Sequence, residues 1–160
     1  MKDHTHTRPS CRPVLPGDIT ALRANCMPDK SSAQLAKMVG HAQNVARNGR
    51  GMGVVAIWEA QIVGFGQLTL FPSAAEISDL VVGARWRRRG IGTAIVNYLT
   101  RTAYEMHAEH IEIGVAQRNT RALALYRRLD FEDHHKLKLN LGDGLETVIY
   151  LRKALRTPRD

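Results

Sequence analysis

The chain has 160 residues, 44% of them hydrophobic and 24% charged, which is the make-up of one compact soluble domain; a second independent core would leave both cores small. No apolar run approaches the roughly eighteen residues of a membrane span, and the polar start carries no apolar stretch of secretory type, so no membrane partner and a cytoplasmic location are expected. A formal charge of +8 calls for an anionic partner without specifying one.

Taken in chain order, residues 1–10 read as a mobile start. His4 and His6 within it define no coordination geometry, and no metal site is expected. Cys11 and Cys26 belong to no CxxC pair and read as buried or incidental thiols. Pro9, Pro13 and Pro16 limit the opening to loop or a short edge strand. Asp18 is placed to cap a short helix running to about Cys26. After Pro28-Asp29, a second helix extends from Ser31 or Ser32 to about Arg47, with Leu35, Met38, Val39, Ala42 and Val45 on its apolar face and His41 beside it. Residues 53–58 and 62–70 read as strands of a hairpin around Glu59-Ala60-Gln61. Residues 76–82 form another strand; its consecutive Leu80-Val81-Val82 predicts a central position covered on both faces. Ile91, Ala94, Ile95, Leu99 and Ala103 mark a helix to about His110. A strand over 111–115, a helix over 120–128 and strands over 134–139 and 146–151 follow, with Gly142-Asp143-Gly144 turning between the last two. The basic tail from Arg152 reads as solvated surface, mobile over 153–160. This order predicts a single α/β domain, an α+β sandwich whose mixed sheet is covered by helices.

The chemistry concentrates between the strand ending at Val82 and the helix beginning near Ile91. Four arginines fall within residues 85–89, beside Gly90 and Gly92. Glycine at 90 lets the chain turn, and glycine at 92 lets backbone approach an anion. The peptide N–H groups from about Arg88 to Thr93 would then open the first turn of a helix, an anion site by geometry and by dipole. Arg87, Arg88 and Arg89 add charge-assisted donors. The segment lacks the Gly-Lys-Ser/Thr ending of a P-loop and the third glycine of a dinucleotide fingerprint. Recognition-helix and RNA-binding signatures are absent too, so nucleic acid is not the expected partner.

Arg87-x-x-Gly90-x-Gly92 after a strand, followed by Asn119-Thr120-Arg121-Ala122, Leu125-Tyr126 and Phe131, resembles the paired motifs of the GCN5-related N-acetyltransferase (GNAT) family. The likeness covers roughly residues 76–131, and the surrounding elements arrive in the family's order. Two positions depart from the pattern: Ala84 stands where a proline is usual, and Asp130 where a glycine is usual before Phe131.

The resemblance implies a mostly antiparallel mixed sheet with a splayed central strand, the acyl-CoA N-acyltransferase fold. It implies acetyl-CoA as acyl donor. The cofactor residues would be Leu80, Val81 and Val82 through their main chain, the turn from Arg87 through Arg88, Arg89, Gly90, Ile91 and Gly92 to Thr93, and Asn119, Ala122 and Tyr126. Tyr126 would protonate the leaving thiolate, and Glu76 would act as base through water on the acceptor amine. Asp79, or water with a backbone carbonyl, remains open as an alternative base. The acceptor, a small-molecule or peptide amine, would lie among the first two helices and the late hairpin. His41, His134 and His135 stand there without a motif. A homodimer is a family-level expectation with no interface signature. The competing reading is a catalytically idle acyl-CoA sensor.

Overall fold

A computed structural model describes residues 7–156; His4, His6 and the tail from residue 157 lie outside the described residues. Strand β1 (Ser10–Pro13) and a single 3-10 turn (Pro16–Asp18) lead into helices α1 (Ile19–Asn25) and α2 (Ser32–Arg47). Strands β2 (Gly51–Trp58), β3 (Gln61–Leu70) and β4 (Ala74–Val82) follow, then a second 3-10 turn (Ala84–Trp86) and α3 (Ile91–Glu105). The chain closes with β5 (His110–Ala116), α4 (Thr120–Arg128), β6 (Glu132–Asn140) and β7 (Leu145–Ala154).

Among the described residues, seven strands form one sheet in the order β1-β2-β3-β4-β5-β7-β6. Every neighbouring pair is antiparallel except β4 with β5. Alternation along the strands serves both faces. Val54, Ala56, Leu68, Ile77, Ile111 and Leu151 pack on Ile91, Ile95 and Leu99 of α3 and on Leu123 and Tyr126 of α4. Val55 and Phe65 face the other way, onto Leu22 of α1 and Leu35, Val39 and Ala42 of α2.

Local chemistry sets several boundaries. The N–H of Gln34 donates to Ser31 Oγ (3.1 Å) while Gln34 Oε1 accepts from the Ser31 N–H (2.8 Å), closing a capping box that starts α2 at the second of its two candidate serines. Asp18 does not cap α1. Its carboxylate accepts from both terminal nitrogens of Arg12 and from the Leu15 N–H, each at 2.8 Å, and so ties β1 to the turn before α1. Glu59 and Ala60 both adopt left-handed backbone (φ 48° and 65°), the hand that suits a two-residue hairpin between twisted strands. Helix α3 stops at Glu105, short of the expected His110, because His107 turns left-handed (φ 67°) and the Ala108 N–H returns to the Ala103 carbonyl (3.0 Å).

The end of the chain is held further than expected. Arg152, Lys153 and Ala154 pair with Glu112, Ile111 and His110 of β5. The Leu155 N–H donates to the Glu109 carbonyl (2.8 Å), and the Arg156 guanidinium lies 4.4 Å from the Tyr104 ring centre. Among the described residues, no helix is long and apolar enough to cross a membrane.

The feature that positions the site is the parting of β4 from β5. They pair only from Ala74 with His110 to Ile77 with Ile113. Asp79 then takes left-handed backbone (φ 54°), and the register of β4 on β3 shifts between Phe65 and Gln67. This bulge swings the rest of β4 off the parallel ladder. Strand β4 is central, yet Leu80, Val81 and Val82 are only half-buried, because their outer side borders a cleft rather than a neighbouring strand.

Candidate active site

The cleft opened by the parting has a volume of about 830 Å³. Leu80, Val81 and Val82 form one wall, while Ala122, Leu125 and Tyr126 of α4 form the other. The turn before α3 closes one end. There Arg88 (φ 65°) and Gly90 (φ 77°) are both left-handed, and the first helical bond runs from the Ala94 N–H to the Gly90 carbonyl at 3.0 Å. The N–H groups of Gly90, Ile91, Gly92 and Thr93 therefore have no partner within the helix and are free to meet an anion.

The two glycines do different work. A Cβ at Gly90 would meet nothing within 4 Å, so glycine is favoured there by backbone conformation alone. A Cβ at Gly92 would lie 3.5 Å from Leu125 Cδ2 and 3.8 Å from Val82 Cγ2, in the throat of the cleft.

Of the three expected arginines, Arg87 and Arg88 line the cleft. Arg89 instead lays its guanidinium 5.8 Å from the Trp58 ring centre, bracing the turn against the end of β2. Asn119 borders the cleft and also caps α4, its Oδ1 accepting from the Ala122 N–H at 3.1 Å. Ala84 opens a tight turn closed by Trp86 N–H to the Gly83 carbonyl (2.9 Å) without a proline. Asp130 takes left-handed backbone (φ 69°) in the turn that delivers Phe131 to the core.

Tyr126 is 3% exposed and meets Phe131 edge to face at 5.8 Å. Burial raises its phenol well above the ordinary tyrosine range, so the hydroxyl stays protonated at neutral pH. Burial also pushes the thiols of Cys11 and Cys26 up to about 11, which leaves both poor nucleophiles.

Glu76 lies just before the strands part. Strand pairing puts it beside Glu112, Glu112 opposite Arg152, Gly114 opposite Tyr150, and Tyr150 opposite His135, all on one sheet face. Arg152 Nε donates to Glu112 Oε1 at 2.6 Å. The Tyr150 ring closes over Gly114, where a Cβ would come within 3.0 Å of it, and stacks on His135 at 4.7 Å. Desolvation, and secondarily the Glu112 charge, raises the Glu76 carboxyl above its ordinary range. His134 is exposed on β6, its Nδ1 2.8 Å from that of His135, and His41 is exposed on α2, so neither is built into the cleft wall.

Sequence reasoning missed two groups. Arg121, Leu125 and Arg128 line the cleft, and their i, i+4, i+7 spacing on α4 was a usable signal once Tyr126 was oriented. Glu112, Tyr150 and Arg152 join Glu76 only through strand register, for which the local sequence carries no signal.

A helix start with free N–H groups and flanking arginines, set against the exposed edge of a parted parallel strand pair, has the chemistry to receive an extended anionic molecule. The chain belongs to the acetyltransferase (GNAT) family, whose model matches residues 19–131. An uncharacterized N-acetyltransferase of Methanocaldococcus jannaschii is 36% identical over 64 residues, 40% of this chain but only 28% of that protein's length. Among solved structures, the ribosomal-protein-alanine N-acetyltransferase from Brucella melitensis superposes with a TM-score of 0.76 at 24% identity, covering 91% of this chain and 99% of the other. The ribosomal L7/L12 alpha-N-protein acetyltransferase RimL in complex with coenzyme A superposes with a TM-score of 0.81 at 15% identity, covering 94% and 95%.

Proposed function

We propose that the protein transfers the acetyl group of acetyl-CoA directly to a primary amine. The observation that carries this reading is the cleft itself: a strand edge at Leu80-Val81-Val82 leads from free N–H groups at the start of α3 to the Tyr126 side chain. A diphosphate suits the first end, and an amide-bearing arm suits the exposed strand edge between. Acetyl-CoA, bound there, supplies a thioester whose acyl carbon an amine can attack.

The protein's own groups then divide the remaining tasks. Main-chain N–H groups near Val82 polarise the acyl oxygen. Glu76, at the apex of the parting, takes through water the proton that the amine loses as its nitrogen bonds to the acyl carbon. Tyr126 delivers its phenolic proton to the sulfur as the carbon–sulfur bond breaks. No covalent enzyme intermediate is needed, in keeping with two thiols raised out of the nucleophilic range. The acceptor approaches the face shared by Glu76, Glu112, Tyr150 and His135, which α1 and α2 leave uncovered.

The test is coenzyme A release by the purified protein from acetyl-CoA across a panel of primary amines, run beside acetyl-CoA binding by calorimetry. Tyr126→Phe should lower kcat about 100-fold or more while leaving the affinity for acetyl-CoA within a few-fold. Tight binding without turnover on any amine would replace the enzyme by an acyl-CoA sensor, and absence of binding would sink both.

A further inference from the structure

Two cations on the cleft wall have no counterpart in the proposed reaction. Arg121 and Arg128 stand seven residues apart on α4, with Leu125 between them, and all three line the cleft. Two helical turns separate the arginines by a rise of about 10.5 Å. Both are exposed, and among the described residues neither makes an ion pair, whereas Arg118 and Arg127 on the same stretch pair with Glu146 and Asp133. Both guanidinium groups thus border the cleft with no carboxylate partner among the described residues. The wall is therefore charged for an anion that comes from outside the chain.

The ligand proposed for the cleft carries two separate anionic groups. Its diphosphate is accounted for by the free N–H groups of residues 90–93 with Arg87 and Arg88. Its ribose 3′-phosphate is a monoester of about −2 charge near neutral pH, which that turn leaves unmatched. Guanidinium forks suit a terminal phosphate, which offers three oxygens. We propose that Arg121 and Arg128 bind the 3′-phosphate and make the protein selective for coenzyme A over 3′-dephospho-coenzyme A. The inference rests on the coenzyme A reading of the cleft, and it assigns the selectivity for the 3′-phosphate to α4.

The experiment is a titration-calorimetry cycle with coenzyme A and 3′-dephospho-coenzyme A on wild type, Arg121→Gln/Arg128→Gln, and the charge-matched control Arg47→Gln/Arg101→Gln on exposed faces of α2 and α3. Wild type and control should prefer coenzyme A by about 10- to 100-fold, the range of a charge-assisted phosphate contact. In the α4 double variant the preference should fall to within about two-fold, mainly through weaker coenzyme A binding, while circular dichroism reports an unchanged fold. Equal affinity of wild type for the two ligands overturns the inference and leaves the proposed function standing. A preference that survives in the α4 variant, or that disappears equally in the control, also overturns it. Failure of wild type to bind either ligand overturns the proposed function together with the inference.

Discussion

Gly90 and Gly92 sit two residues apart in one motif and should respond differently to the same substitution. Gly90 holds left-handed backbone in open space, so Gly90→Ala meets no clash but carries the conformational cost of that region, about 1–2 kcal/mol. Relaxing that strain would rotate the N–H groups that follow, and acetyl-CoA affinity should fall with stability. Gly92 is helical, and an added methyl would touch Leu125 and Val82 at ordinary contact distance. Gly92→Ala should leave stability unchanged or slightly raised and act only by narrowing the cleft. Thermal unfolding and calorimetric titration of the two variants separate these effects.

Glu76 gives a second test at this scale, in pH. Its carboxyl is raised by desolvation and by Glu112, so the basic form accumulates only above the ordinary carboxylate range of about 4.3. On the acid side, kcat/KM should rise through that raised value. Glu112→Gln removes the like charge, lowers the Glu76 pKa and should move the acid limb to lower pH. Glu76→Gln should abolish the limb. Comparing profiles on one acceptor cancels the titration of the substrate amine, and a limb unmoved by Glu112→Gln would remove the assigned coupling.

At the scale of elements, helix α4 shows how a cap and a site share one residue. Asn119 fixes the start of the helix that carries Leu125, Tyr126 and the α4 arginines. Asn119→Ala should cost about 1 kcal/mol through the lost cap, whereas Asn119→Asp retains an acceptor for the Ala122 N–H. Chemical denaturation with both variants checks the cap. Asn119→Ser, a cap without added charge, then tests the ligand contact: an acetyl-CoA affinity that stays low while stability is restored would assign Asn119 a role beyond capping. The β2–β3 hairpin offers the opposite case, since Ala60 occupies left-handed backbone that glycine adopts freely. Ala60→Gly should stabilise the protein by roughly 0.5–1 kcal/mol, read as a higher denaturation midpoint at unchanged slope.

At the scale of the molecule, stability and function depend on different parts of the sheet. The β1 edge is tied to the first helical layer by Asp18, which is 5% exposed and bonded to Arg12 and Leu15. The hydrogen-bonded Arg12 guanidinium holds the Asp18 carboxyl below its unfolded value. The stabilisation is therefore complete above about pH 4, the unfolded pKa, and is lost as pH falls through the lower folded value. Asp18→Asn should cost about 2 kcal/mol at neutral pH, or about 4–8 °C in melting temperature for a domain of this size. Wild type and variant should converge in acid, and parallel melting curves across pH would remove the Asp18 clamp as their cause. The opposite half of the sheet works by incomplete pairing: β4 and β5 separate after Ile77 and Ile113, and the cleft is the space they leave.

By itself, the sequence determined the order of the elements and the chemical character of the turn before α3. Both depend on local information: apolar periodicity places a helix or strand, and Arg87-x-x-Gly90-x-Gly92 places the turn between two of them. Asn119 was legible as a helix cap for the same reason, whereas the cleft roles expected of Asn119 and Tyr126 came from the family resemblance, since periodicity alone reads Tyr126 as a packing residue of a nine-residue helix. The pairing of Glu76 with Glu112 was not, because strand register joins residues 36 positions apart and is settled by which faces become buried. Nor could the sequence show that Asp18 would leave helix α1 for Arg12, or that Arg89 would turn from the cleft to Trp58, since each outcome is a competition between partners brought close only by folding. Only the tertiary structure decided how far β4 leaves β5. That parting requires the left-handed Asp79 and a register shift against β3 together, and from it come both the volume and the walls of the cleft.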